Sequence, residues 1–165
     1  MPGNGAIDDG RVAEKDYSNI INKFKVEEKG SKVAILGLGD FYQIGEEVSK
    51  MVEEKLGFKP TLVNPRFASG VDKELLNDLK QDHDLVITLE DGILRGGFGE
   101  SIASFYGDSD IKVKNYGLEK KFYDRYNPSQ LLDELGITPE KIVKYIESMM
   151  KCQYRKLYKI ITILT

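Results

Sequence analysis

The feature that most constrains this chain is an alternation. Short apolar runs are followed, again and again, by stretches whose apolar residues recur at helical spacing. Val33-Ala34-Ile35-Leu36 stops at Gly37 and reads as a strand buried on both faces. Ile44, Val48, Met51, Val52 and Leu56 then mark one face of a helix, with Glu46, Glu47, Glu53 and Glu54 on the others and Gly57 placed to end it. Thr61-Leu62-Val63 is a second strand, closed by Asn64-Pro65, and Asp72 is placed to cap a helix carrying Leu75, Leu76 and Leu79. Leu85-Val86-Ile87-Thr88-Leu89 is a third, strongly β-prone run. Gly92, Gly96, Gly97 and Gly99 follow, then an expected helix over residues 100–105, and Ile111 and Val113 mark a fourth strand. Residues 23–28 read as a short lead-in strand. Pro128 suits the first turn of a helix through Leu131, Leu132 and Leu135, ended by Gly136. Thr138 and Pro139 open a last helix with the stripe Ile142, Val143, Ile146, Met149 and Met150. Strands separated by helices imply an α/β fold with a mostly parallel sheet covered on both faces.

The organisation expected from this pattern is a flexible linker over residues 1–21, one folded domain over 22–150 and an atypical tail over 151–165. Glycine and aspartate without apolar period mark the linker. The tail keeps a rough helical period through Leu157, Ile160, Ile161 and Leu164 but is equally rich in β-formers, so a longer helix and an added edge strand both remain open.

Composition removes several function classes. The 24 basic and 27 acidic residues are interspersed and the net charge is −3, which gives no pull towards nucleic acid or anionic lipid. No apolar run approaches the roughly 20 residues needed to span a bilayer. Residues 1–28 contain no apolar core of a secretory signal. The only cysteine, Cys152, excludes an intrachain disulfide and a cysteine-rich metal site, and a reducing, cytoplasmic setting is expected.

Ligands of doubly wound sheets bind beyond the carboxyl ends of the strands, and three segments fall there. Gly37-Leu38-Gly39-Asp40 lacks the third glycine of a dinucleotide fingerprint, since position 42 is tyrosine, and reads as a tight turn. Arg66, in Asn64-Pro65-Arg66-Phe67, suits a phosphate or carboxylate, an ion pair or a subunit contact. Glu90-Asp91 followed by Gly92, Gly96, Gly97 and Gly99 places two carboxylates before a glycine-rich helix start, where backbone N–H groups can hold an anion. No Walker motif follows, and neighbouring strand residues point to opposite faces, so Glu90 and Asp91 make a poor acid/base pair. The structural reading of this loop, in which glycines permit close approach, carries more weight. A receiver-like switch using Asp91 as phospho-acceptor is weakened because only Asp40 supplies acidity after the first strand. His83, the only histidine, is expected in surface or helix-end packing.

Taken in order, these segments resemble a known family. Lys32-Val33-Ala34-Ile35-Leu36-Gly37-Leu38-Gly39 resembles the opening strand of the transketolase C-terminal domain. Asn64-Pro65-Arg66-Phe67 with Asp72 resembles the D-x-R-F-x-x-P-L-D stretch of 1-deoxy-D-xylulose-5-phosphate synthases, with Asn64 in place of the acid and Gly70-Val71 in place of Pro-Leu. Residues 85–99 resemble the synthases' V-T-x-E-[ED]-G/N-x-x-x-G-G-x-G signature. Asn115-Tyr116-Gly117-Leu118 and Leu135-Gly136-Ile137 resemble their closing segments, with Glu119-Lys120 replacing Pro-Asp. The resemblance covers about residues 22–148. It implies a three-layer α/β/α domain with about five strands. It also implies a parent enzyme, a transferase, that uses thiamine diphosphate and Mg²⁺ to condense pyruvate with glyceraldehyde 3-phosphate for isoprenoid precursors. A transketolase, or a 2-oxo-acid dehydrogenase beta subunit using this domain for docking, is the alternative parent. The cofactor lies in upstream domains that this sequence lacks; Gly107-Asp108-Ser109 is not followed by the glycine of a G-D-G motif. The resemblance therefore implies no catalytic, cofactor or metal residue in this chain. Its partners would be the upstream catalytic domains and a second copy in a homodimer, with Arg66, Glu90, Asp91, Gly96, Gly97 and Gly99 as candidate interface or anion contacts.

Overall fold

The computed structural model describes residues 20–124 and 127–164, with side chains through Cys152. Its strands are β1 (Lys25–Glu28), β2 (Lys32–Leu38), β3 (Thr61–Asn64), β4 (His83–Ile93) and β5 (Lys112–Leu118). Its helices are α1 (Tyr42–Leu56), α2 (Lys73–Leu79), α3 (Phe98–Phe105), α4 (Pro128–Glu134) and α5 (Pro139–Leu164), with a 3-10 turn over Gly39–Phe41. The expected linker lies outside the described residues as far as position 19. The segment left open between helix and strand is helical: α5 continues through it to Leu164. Among the described residues no helix is long and apolar enough to cross a membrane.

The sheet order is β1-β3-β2-β4-β5. β1 pairs antiparallel with β3, and every other pair is parallel. Period-two alternation along the strands divides the core. Val33, Ile35, Leu62, Leu85, Ile87 and Leu89 face α1 and α5, where Val48, Val52, Ile142 and Ile146 meet them. Ala34, Leu36, Val63 and Val86 face α2 and α3, where Leu76, Leu79 and Ile102 close the second layer. Full burial of each such side chain contributes about 1.5–3 kcal/mol, so both faces must be covered for the central strands to be stable.

Helix ends follow the punctuation in the sequence. Gly57 takes a left-handed conformation (φ 72°) and its N–H reaches the Glu53 carbonyl, which stops α1. Asp72 links two elements. One carboxylate oxygen accepts the Leu75 N–H at 3.2 Å and caps α2, and the other accepts the Phe24 N–H at 2.9 Å and holds the approach to β1.

Replacing Asp72 with Ala removes both bonds at a buried site and is expected to cost about 2 kcal/mol. A lowered urea midpoint with unchanged slope is the check.

Candidate functional site

All parallel strands end on the same rim of the sheet, so the segments singled out from the sequence do come together there. Each side chain has a definite task. β4 runs beyond the expected strand over residues 85–89 and includes Glu90, Asp91, Gly92 and Ile93. Glu90 pairs with Leu38 of β2, the ladder to β5 is irregular between Leu89 and Ile93, and Ile93 pairs with Leu118. α3 begins at Phe98, two residues before the expected start, so Gly99 belongs to the helix and not to the loop.

The reason for that early start is Glu90. Its side chain is only 3% exposed. One carboxylate oxygen accepts the Phe98 N–H at 2.9 Å and the other accepts the Gly99 N–H at 3.0 Å. A helix begins with N–H groups that have no partner within it, and its N-terminal end attracts negative charge. Gly97, at the N-cap position, has no side chain to meet them. Glu90 supplies the acceptor from the adjoining strand. The cradle that could hold an external anion is therefore filled by the chain's own carboxylate.

The glycines make room for this contact. A Cβ on Gly97 would run into the Glu90 carboxylate and the Ile93 carbonyl. On Gly99 it would lie 2.5 Å from Thr88 Oγ1 and 2.8 Å from Asn115 Cγ, and on Gly117 it would lie 2.9 Å from Glu90 Cγ. Thr88, fully buried, donates to Asn115 Oδ1 at 2.9 Å directly beneath. Gly96 takes a positive φ of 77°, and its N–H is accepted by the Glu100 carboxylate. Thr88, Asn115 and Gly117 were not singled out from the sequence as supports. Their contact spans 27 residues and has no local signature.

Asp91 points the other way, as the strand alternation predicts, and is exposed. Partial burial, and then the nearby Asp40, raise its carboxyl above the usual range. With Leu38, Gly39, Ala68 and Ile93 it lines an open cleft of about 420 Å³. Arg66 is half-buried and left-handed (φ 65°), and its N–H donates to the Asn64 side-chain oxygen at 2.9 Å in an Asx-type turn. It does not line that cleft. Glu90 borders the same cleft, but it is buried and both its carboxylate oxygens accept N–H groups of α3, so it and the exposed Asp91 do not form an acid/base pair. Among the described residues, no group of three or more His, Cys, Asp or Glu could hold a metal ion.

Two other predicted positions are structural. Gly37 packs against Tyr42, where a Cβ would stand 2.7 Å from the Tyr42 Cα, and Gly39 takes a φ of 62° as the chain enters the 3-10 turn. His83 is helix-end packing and not surface, since it is buried at the opposite rim. Its Nε2 is 2.7 Å from Thr61 Oγ1, and its Nδ1 faces the Leu79 carbonyl at 3.2 Å and the Asp82 carboxylate at 2.6 Å. Thr61 also accepts the Gly30 N–H at 3.0 Å, so this network joins the starts of β3 and β4 to the turn before β2.

Comparison with known proteins agrees with this geometry. Residues 22–142 match the model of the transketolase C-terminal domain. The 1-deoxy-D-xylulose-5-phosphate synthase of Alkaliphilus oremlandii is 38% identical over 120 residues, covering 72% of this chain and 19% of that enzyme. The synthase of Symbiobacterium thermophilum is 30% identical over 132 residues, covering 79% of this chain and 20% of the enzyme. The chain thus spans about a fifth of the length of these relatives. Among solved structures, a split-gene transketolase described as an inactive β4 tetramer superposes with a TM-score of 0.68 at 26% identity, covering 77% of this chain and 42% of that one.

Glu90→Ala leaves two buried N–H groups unpaired and is expected to destabilise the chain by about 2–4 kcal/mol, with Glu90→Gln costing less because its carbonyl still accepts. Denaturant unfolding of the two variants side by side checks the order. Asp91 behaves in the opposite sense. Its folded carboxyl is raised, so its charge opposes folding above that value and ceases to do so once pH falls below the unfolded one. Asp91→Asn is expected to raise stability near pH 7, with the difference from the parent vanishing below about pH 3. A thermal melt at each pH reads it.

Proposed function

Because the chain belongs to the transketolase C-terminal domain family, we propose that it is the C-terminal domain of a thiamine-diphosphate-dependent 1-deoxy-D-xylulose-5-phosphate synthase. Its contribution to that enzyme is surface for packing and dimerisation, with residues 22–150 as the folded unit. The assembled parent, a cytoplasmic homodimer, joins pyruvate to glyceraldehyde 3-phosphate, and this chain supplies no reacting group. The observation that carries the reading is the Glu90 contact. The glycine-built start of α3 at the carboxyl rim is closed by an internal carboxylate.

The residues present do not fit thiamine diphosphate and Mg²⁺. Gly107-Asp108-Ser109 lies in the turn after α3, ahead of a strand, and not between a strand and a following helix. Arg66 is not among the residues that line the cleft beside Asp91, and that cleft carries negative charge, which repels a diphosphate. A synthase parent accords with the relatives at 38% and 30% identity better than a transketolase parent does with the solved neighbour at 26%. The exposed, unpaired Cys152 accords with a reducing compartment.

Titration calorimetry with thiamine diphosphate and Mg²⁺ is expected to show no heat of binding for the chain alone. Pyruvate turnover should appear only when the catalytic domains are supplied. Binding or turnover by the isolated chain would remove the reading.

A further inference from the structure

Beyond the carboxyl ends of the parallel strands lie apolar side chains that the fold leaves exposed. Among the residues with described side chains, the exposed large apolar ones are Ile21 (68%), Val26 (39%), Phe67 (36%), Ile93 (45%) and the fully exposed Phe122. Four of these five lie at the carboxyl rim. Phe67 follows β3, Ile93 ends β4 and Phe122 follows β5. Ile21 stands just ahead of β1, whose antiparallel register sets Lys25 beside Asn64, so its approach lies beyond the end of β3. A Cβ on Gly70, in the segment after β3, would touch the Asn22 side chain, which places that approach against the same loop. The half-buried Leu38 ends β2 between them. Taken in sheet order, the exposed residues form a row by strand only: Ile21 ahead of β1, Phe67 after β3, Ile93 in β4 and Phe122 after β5, with β2 contributing Leu38, which packs against the second core layer. Neighbouring strands are about 4.8 Å apart, so the five-stranded rim that carries them is about 19 Å across.

The opposite rim differs. There Lys59, Asp82, Asp84 and Lys112 flank the strand ends, and of the described exposed large apolar side chains Val26 alone lies on that side, in a cleft it lines with Thr61, Asp82 and His83. An exposed apolar row with polar residues at its border marks a surface that another protein covers. The occupant is indicated by length. The chain spans 20% and 19% of its relatives, so about four-fifths of such an enzyme must be packed elsewhere. Charge adds a requirement: Asp91 lies close enough to Asp40 to be affected by its charge, and a cation from the partner would offset both.

We propose that this carboxyl rim, from Ile21 across Phe67 and Ile93 to Phe122, is the face against which the catalytic portion of the enzyme packs, bringing apolar side chains to the row and a lysine or arginine to Asp40 and Asp91. The proposal rests on the synthase reading above and names the surface that serves it.

The test places a photo-crosslinking amino acid at Ile93 or Phe122, and as a control at the exposed Lys112 of the opposite rim, in the full chain expressed in its own cells. Mass spectrometry identifies the crosslinked residues, whether in another chain or elsewhere in the same one. The expected result is capture of a thiamine-diphosphate-binding segment from positions 93 and 122 at about tenfold or more above position 112. The double variant Ile93→Glu, Phe122→Glu, checked by circular dichroism for an unchanged fold, should lower capture by a crosslinker at Phe67 by about tenfold. Equal or stronger capture of that segment from position 112 overturns the rim and leaves the synthase reading intact. Crosslinks only to a second copy of this chain overturn the occupant. Capture of no thiamine-binding segment from any position overturns this proposal and the reading beneath it.

Discussion

The Glu90 carboxylate at the start of α3 is the contact on which the carboxyl rim depends. It joins β4, which like β2 has a parallel neighbour on each side, to the helix that follows it. A buried carboxylate is costly unless it is hydrogen-bonded, and an uncapped helix start leaves orphan donors. Each group removes the other's penalty. The rest of the rim is arranged to allow this. Gly97, Gly99 and Gly117 omit side chains where Glu90, Thr88 and Asn115 must pass, and β4 extends far enough to carry the carboxylate to the helix.

That arrangement gives a segment resembling a ligand loop an occupant from within the chain. Glycine-rich strand-to-helix turns have the same local composition whether they hold a phosphate or an internal acid. What differs is the occupant of the N–H groups. Here the occupant is covalently part of the domain, so the loop is a joint between elements. The residues left facing outward, Asp91, Ile93, Phe67 and Phe122, are those suited to a macromolecular surface.

Much of the fold was legible in the sequence because its signals are local. Apolar runs gave the central strands, Gly57 and Gly136 marked helix ends, and Asp72 was recognisable as a cap. Legibility declined where one element answers to another. β4 and β5 both outlast their apolar runs because pairing of Ile93 with Leu118 continues through residues of low β-propensity. α3 starts early because of an acceptor eight residues before it in the chain. His83 sits between flanking aspartates and reads equally as a surface or a helix-end residue; Thr61 and Leu79, from two other elements, enclose it and decide for helix-end packing.

By itself the sequence determined the α/β class, the order of strands and helices, the family resemblance and the meeting of Arg66, Glu90 and Asp91 at one rim. These follow from apolar periodicity, capping residues and motif order, all of which are written along the chain. Only the tertiary structure decided that Glu90 is buried to cap α3 while Asp91 stays exposed, that residues 151–164 continue a helix, and that Ile21, Phe67, Ile93 and Phe122 belong to one rim. The physical reason is that these facts depend on which strand lies beside which. The order β1-β3-β2-β4-β5 places side by side residues that the sequence separates by dozens of positions.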